Sequence, residues 1–380
     1  MIQFGDIGIV PLPSSRYPES KAGGGPGRLR LTHRYKLNFM GRHLRNAMIC
    51  GVLAGLAVIA HAQTIEPLGI ALESYDYPYP VHFLELEMQG QTLRMAYMDV
   101  PPAGAANGQT IVLLHGKNFG SYYWKDTIRS LAATGYRVVA PDQIGWGKSA
   151  KPDIRYSFQA LAANTAHLLD TLGIGRAIVL GHSTGGVLAV RFARSYADRV
   201  SALVLEDPLG LEDYRLKVPP QSDETLFRAE MANTDPEKLR AFFAGYFVDK
   251  KPEVYGPLAE VPIRVAQSGE FPRWAKASAL AYQMIYEQPV IYEYSALKPP
   301  VLLIVGEEDH AAALSNYASP EVRATMGHIA ELARAAVKTI PNGTLVVVPK
   351  TGHIPHLERP EQFRQALMEF LRMHLTEPRP

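Results

Sequence analysis

Gly181-His182-Ser183-Thr184-Gly185 sets a serine between two glycines, directly after the apolar run "AIVLGH" and directly before a helix-like stretch. Flanking glycines permit a tight, strained turn that lifts a hydroxyl out of a strand end. The helix behind such a turn aims free amides and its positive dipole end at the same spot. A serine hydroxyl is a weak nucleophile until a base takes its proton, and a histidine titrating near neutrality suits that task. Among twelve histidines, His353 stands out in "KTGHIPHLERPEQF", on a loop between the strand-like "TLVVVP" and the last helix. Its neighbour His356 reads as a surface residue, and His182, beside the serine, as buried packing.

An acid must hold the imidazole in the correct tautomer and balance its charged form. "PVLLIVGEEDH" offers Glu307, Glu308 and Asp309 just past a strand, and "LVLEDP" offers Glu206 and Asp207 at another. Asp309 is preferred, with Asp207 as the alternative. A tetrahedral oxyanion needs two preorganised N–H groups. Thr184, after the serine, supplies one; the other is expected from "LLHGKNFGSYYW", with the Lys117 amide preferred and Asn118 second. His115 in that loop is expected to bond within the loop and take no part in the chemistry.

These residues need a scaffold that gathers strand ends. "VHFLELEM" and "QTLRMAYMDV" flank Gly90-Gln91 and read as an opening hairpin. Six short apolar runs follow: "TIVLLHG", "YRVVAP", "AIVLGH", "SALVLED", "PVLLIVG" and "TLVVVP". They lack period-2 alternation, as strands covered on both faces do. Helical patterns lie between them at Tyr122 to Thr134, Ser157 to Leu172, Gly186 to Tyr196 and Pro360 to Leu375. Such alternation predicts an α/β fold with a mostly parallel central sheet and helices on both faces.

The connection over residues 207–299 is too long for a structureless loop. It reads as a helical lid inserted after the sixth strand, over the carboxyl edge of the sheet where ligands bind. Its aromatic residues, "FFAGYF", Trp274, Tyr282, Tyr286, Tyr292 and Tyr294, are expected mostly to form the lid's own core, with a minority facing substrate. Residues 63–206 and 300–380 form the α/β core under this division.

The first 62 residues differ from the rest. Arg42 and Arg45, an apolar run from Ala47 to Ala60, and Ala60-His61-Ala62 have the order of a secretory signal peptide over residues 40–62. Cleavage is expected between Ala62 and Gln63, giving a periplasmic or secreted product. The run is short for a membrane span, so no stable membrane insertion is expected after cleavage. Residues 1–39 have the composition of a disordered leader, and translation is expected to begin at Met40 or Met48. Residues 1–62 carry eight of the 39 basic and two of the 37 acidic residues, leaving 31 basic and 35 acidic and a net charge of −4. A mildly acidic body has no electrostatic footprint for nucleic acid. The lone Cys50 leaves with the leader, and the histidines lack metal-ligand spacing, so no metal is expected.

From about Val81 to Leu375 the chain resembles the α/β-hydrolase superfamily, in its branch of lidded, single-domain serine hydrolases. The motifs are "LLHGKNFGSYYW", "PDQIGWGKSAKP", "GHSTGG", "GEEDH" and "GHIPHLERPEQF". The order Ser183, Asp309, His353 is the family's order. The resemblance implies a Ser–His–Asp mechanism without a cofactor. It assigns Asp142, Gly145, Gly147 and Ser149 to a structural turn. One departure is the 44-residue spacing from Asp309 to His353, which adds helix or loop beside the site. Dehalogenases and epoxide hydrolases of this fold use an aspartate at the turn, and Ser183 argues against both. A carboxylic ester is the expected small-molecule substrate. Cleavage of a carbon–carbon bond beside a ketone, aminopeptidase-like amide hydrolysis, or a non-catalytic binding role are the alternatives.

Overall fold

A computed structural model describes residues 65–375. The expected leader, signal peptide, cleavage point and Cys50 all lie outside the described residues. Eight strands form one sheet in the order β1-β2-β4-β3-β5-β6-β7-β8. They are β1 (Val81–Met88), β2 (Gln91–Val100), β3 (Thr110–Leu114), β4 (Arg137–Pro141), β5 (Ala177–His182), β6 (Val200–Glu206), β7 (Val301–Gly306) and β8 (Gly343–Val348). β1 pairs with β2 and β2 with β4 antiparallel; from β4 onward every pairing is parallel. The opening hairpin turns on Gln89 and Gly90, both at positive φ, the signature of a type I′ turn. Gln91, expected in the turn, is already in β2.

The apolar runs form strands because both faces of the sheet are covered, and every residue of β5 and β7 is buried. Alternate residues feed two separate cores. Val112, Val179, Leu203 and Leu303 face one, while Ile111, Ile178, Val204 and Leu302 face the other. The first core is closed by α2 (Phe158–Thr171), α3 (Thr184–Ser195) and α9 (Ile329–Ala336), the second by α1 (Lys125–Ala133) and α11 (Pro360–Leu375). The edge strands are less covered: β8 is half-buried along most of its length and β1 is largely exposed.

Between β6 and β7 the chain builds α4 (Asp223–Ala232), α5 (Pro236–Ala244), α6 (Pro252–Val265) and α7 (Phe271–Glu287). Side-chain caps set where these start: Ser222 Oγ accepts from Thr225 N and Asp235 Oδ1 from Glu237 N. α4 packs on α7 and α5 on α6. The segment after Asp309 adds α8 (Pro320–Arg323) and α9, the extra structure implied by the long spacing to His353. Last, α10 (Pro355–Glu358) leads into α11. Among the described residues, no helix is long and apolar enough to cross a membrane.

Helix α3 starts at Thr184, two residues before the sequence pattern suggested, because the turn consumes Ser183 alone. Gly185 and Gly186 are inside the helix for want of space: a Cβ on Gly185 would lie 2.2 Å from the Leu114 carbonyl oxygen. Gly181 is as tightly held, its Cβ position 2.1 Å from the Gly185 oxygen. Gly175, by contrast, is exposed, has ordinary φ and meets nothing within 4 Å. Gly181→Ala should therefore cost at least about 2 kcal/mol, while Gly175→Ala should gain about 0.4–1 kcal/mol by restricting the unfolded chain. Urea unfolding of the two variants checks this; equal shifts of one sign would contradict the packing described.

Candidate active site

Ser183 sits at φ 56°, ψ −119°, between the last residue of β5 and the first of α3. Three main-chain hydrogen bonds hold it there. Its N–H donates to the Glu206 carbonyl, and its own carbonyl accepts from Gly186 N and Leu209 N. In this posture Ser183 Oγ lies 3.0 Å from His353 Nε2. His353 Nδ1 lies 2.8 Å from Asp309 Oδ2, and Asp309 Oδ1 accepts from Ala311 N at 2.8 Å. The ends of β5, β7 and β8 thus meet in one hydrogen-bonded line, and all three residues are buried. With Asp309 accepting at Nδ1, the imidazole presents Nε2 to the hydroxyl as an acceptor. The line can take a proton from serine and hold the resulting imidazolium.

The alternative acids have other partners. Glu206 accepts from the main-chain N and Nδ1 of His356, at 2.8 and 2.9 Å. His356 is therefore not the surface residue expected from sequence: it is buried and stacked on Trp124, with ring centres 4.1 Å apart. Its partner lies 150 residues away, which no local pattern reveals. Glu307 and Glu308 are exposed. Asp207 is fully buried at φ 37°, accepts from Gly306 N at 2.9 Å and hydrogen-bonds Asp309. It supports the acid and does not meet the imidazole in a hydrogen bond. Ligand atoms of Asp207, Asp309 and His353 lie within 4.8 Å of one another. Hydrogen bonds already engage these atoms: Asp309 accepts from His353 and Ala311, and Asp207 from Gly306 N.

His182 is buried, as expected, and it also does more than pack. Nε2 lies 2.7 Å from the His353 carbonyl, and Nδ1 3.0 Å from Tyr123 Oη, which in turn accepts from Gly116 N at 3.2 Å. Burial, with His353 next, pulls the His182 pKa well below its usual value, so the ring is neutral. It donates from Nε2 and accepts at Nδ1. His115 bonds within its loop through Nδ1, to the Gly116 carbonyl, but its Nε2 accepts from Gln143 N, outside the loop and past β4. Asp142 pins the neighbouring turn, taking Ser121 N at 2.6 Å and Lys148 N at 2.7 Å.

Lys117 and Thr184 line one narrow cleft of about 10 Å³, together with His115, Trp146 and Gly185. As the first residue of α3, Thr184 has an amide with no intrahelical acceptor. Over the site lies the lid. Tyr246 accepts from His353 N at 2.8 Å through its carbonyl, and its ring centre is 5.1 Å from the imidazole's. Its hydroxyl accepts from Asn118 Nδ2 at 2.7 Å. Gly352 is obligatory beneath it, since a Cβ there would lie 2.3 Å from the Tyr246 oxygen. Of the lid aromatics, Phe243, Phe247 and Tyr294 are core, Tyr292 is exposed, and Tyr246 and Tyr282 turn toward the site residues.

The sequence model of the Alpha/beta hydrolase family matches residues 111–366. The chain belongs to that family. A Burkholderia vietnamiensis protein named 2-hydroxy-6-oxononadienedioate/2-hydroxy-6-oxononatrienedioate hydrolase is 28% identical over 312 residues, 76% of this chain and 95% of its own. A probable hydrolytic enzyme from Pseudomonas aeruginosa, solved as a crystal structure, is 44% identical, with a TM-score of 0.78 over 81% of this chain and 99% of that one. A thermophilic esterase from Thermogutta terrifontis, solved with malate bound, is 26% identical, with a TM-score of 0.59 over 78% and 100%.

In this hydrolase the two coupled carboxyls differ in charge. Burial raises the Asp309 pKa, but the adjacent His353 and the hydrogen bonds outweigh it and hold it below the usual value. Burial, then the Asp309 charge, push Asp207 well above it. Asp207 is thus the protonated partner and donates to Asp309. The unfolded chain releases that proton near the ordinary carboxylate pKa, so above it the folded state binds more protons and loses stability as pH rises. Asp207→Asn keeps a donor toward Asp309 and an acceptor for Gly306 N, and removes the titration. Thermal melts from about pH 4 to 7 should fall less with pH in the variant; parallel curves would contradict the assignment.

Proposed function

We propose that the chain is an exported serine hydrolase that cleaves carboxylic esters through an acyl-enzyme intermediate. The observation that carries this reading is the Ser183–His353–Asp309 line at a strained strand-to-helix turn. Ser183 Oγ attacks the ester carbonyl while His353 Nε2 takes its proton. The oxyanion is held by the amides of Thr184 and Lys117. His353 then gives the proton to the alkoxide leaving group, and the acyl-serine forms. A water, deprotonated by the same imidazole, attacks the acyl carbon and releases the acid. Asp309 stays ionised throughout and orients the ring. Export rests on the signal-peptide pattern of residues 40–62.

A second reading, hydrolysis of a carbon–carbon bond beside a ketone, is favoured by the name of the Burkholderia relative, which aligns over nearly its whole length. Both chemistries need the same nucleophile and differ in the leaving group: an alkoxide for the ester, a carbanion requiring protonation for the ketone.

A fluorophosphonate should label the mature protein stoichiometrically and fail on Ser183→Ala. The substitution should also lower p-nitrophenyl ester turnover by roughly 10⁴-fold or more. Equal labelling of both proteins would overturn the serine mechanism, and turnover confined to a β-diketone control would replace the ester by the carbon–carbon bond. Mass spectrometry of the native product should find Gln63 first; a chain retaining residues 1–39 would contradict the export reading.

A further inference from the structure

Lys117 brings more to the site than a main-chain amide. Gly116, next to it, would put a Cβ 3.2 Å from the Ser183 Cβ, so Lys117 is rooted one residue from contact with the nucleophile. Its side chain runs under the lid and is nearly buried, at 9% exposure for the residue. The ammonium donates to Ser278 Oγ at 2.7 Å and lies 3.6 Å from the centre of the Tyr282 ring. Ser278 and Tyr282 are one turn apart on α7 and share a face. Tyr246, beside His353, also acts electrostatically on Tyr282. Tyr282 under the ammonium and Tyr246 against His353 both come from the segment between β6 and β7.

The charge balance there is indirect. Among the described residues Lys117 has no direct ion pair. Burial lowers its pKa, and Glu230 of α4 is the one charge opposing this. Glu230 acts through a hydroxyl, since its Oε2 accepts from Ser278 Oγ at 2.5 Å. An ammonium has three donors, and one of them reaches Ser278. A buried cation without a direct anionic partner is costly, and here the ammonium is held by the Ser278 hydroxyl and the Tyr282 ring alone among direct contacts.

We propose that Lys117 is a carboxylate receptor, binding an anionic group that the substrate carries a few bonds from its scissile carbonyl. The hydrolase then selects half-esters of short dicarboxylic acids over neutral esters of similar length. A neutral acyl chain leaves the ammonium unpartnered, and sites built around a buried polar group discriminate strongly against ligands that lack its complement. Glu230 opposes the bound anion and limits affinity. This inference rests on the serine-hydrolase reading for its kinetic arm only.

The kinetic arm compares kcat/KM for p-nitrophenyl hemiglutarate with that for p-nitrophenyl valerate. Wild type should prefer the hemiglutarate at least tenfold. Lys117→Met should reduce that ratio at least tenfold, and Glu230→Gln should raise it. The binding arm titrates glutarate calorimetrically into Ser183→Ala protein, where binding should be measurable and lost when Lys117→Met is added. A ratio near one in wild type overturns the proposal. So does an equal fall of both esters in Lys117→Met, which marks the side chain as a lid fastener. Circular dichroism checks folding. Where Lys117→Met is unfolded, the Glu230→Gln ratio decides, and an unchanged ratio overturns the proposal. Glutarate binding that depends on Lys117, in a protein that turns over neither ester and takes no fluorophosphonate, keeps the receptor and removes the serine-hydrolase reading. Ester turnover with a flat ratio and no glutarate binding does the reverse.

Discussion

Holding a serine at φ 56°, ψ −119° costs on the order of 1–3 kcal/mol, and much of the surrounding structure serves to impose it. The turn survives because nothing else fits: Gly181 backs onto the Gly185 main chain, and Gly185 presses on the Leu114 carbonyl. The parallel sheet supplies the counterforce, since Ser183 N bonds to Glu206 at the end of β6. Relaxing the serine into ordinary backbone would swing Oγ away from His353 Nε2 and break the line to Asp309. Stability is spent locally so that the hydroxyl is preorganised.

The other strand ends are tied to the elbow by groups that perform no chemistry in the proposed mechanism. His182 joins the His353 carbonyl to Tyr123 and, through it, to Gly116 of the loop after β3. The Tyr246 carbonyl ties the lid to His353 N. Base, elbow, loop and lid are therefore fixed relative to one another by neutral hydrogen bonds in a dry interior, where such bonds are strengthened by the low dielectric. Asp207 completes the set by donating to the acid, which lets two adjacent buried carboxyls carry one negative charge between them.

The legible parts of the sequence were those with local causes. Strands covered on both faces appear as unbroken β-branched runs, and a serine, an acid and a histidine immediately past three such runs must converge when those strands lie side by side. Helix α11 begins at Pro360 as its pattern indicated. Contacts across long separations were not legible. His356 was misread because Glu206 is 150 residues away, and the Tyr246 carbonyl has no side-chain signature at all. Lys117 was chosen for its amide, while its ammonium finds Ser278 161 residues downstream. The start of α3 was misplaced because glycine pairs normally argue against helix, and here close packing required them.

The central claim is that this geometry makes Ser183 the nucleophile. The most direct test is acid-quenched mass spectrometry during turnover of a p-nitrophenyl ester, with peptide mapping of the adduct. The account predicts a mass increase of one acyl group on the peptide bearing Ser183, absent in Ser183→Ala. An acyl group mapped to another residue, or undiminished turnover in Ser183→Ala, would contradict it.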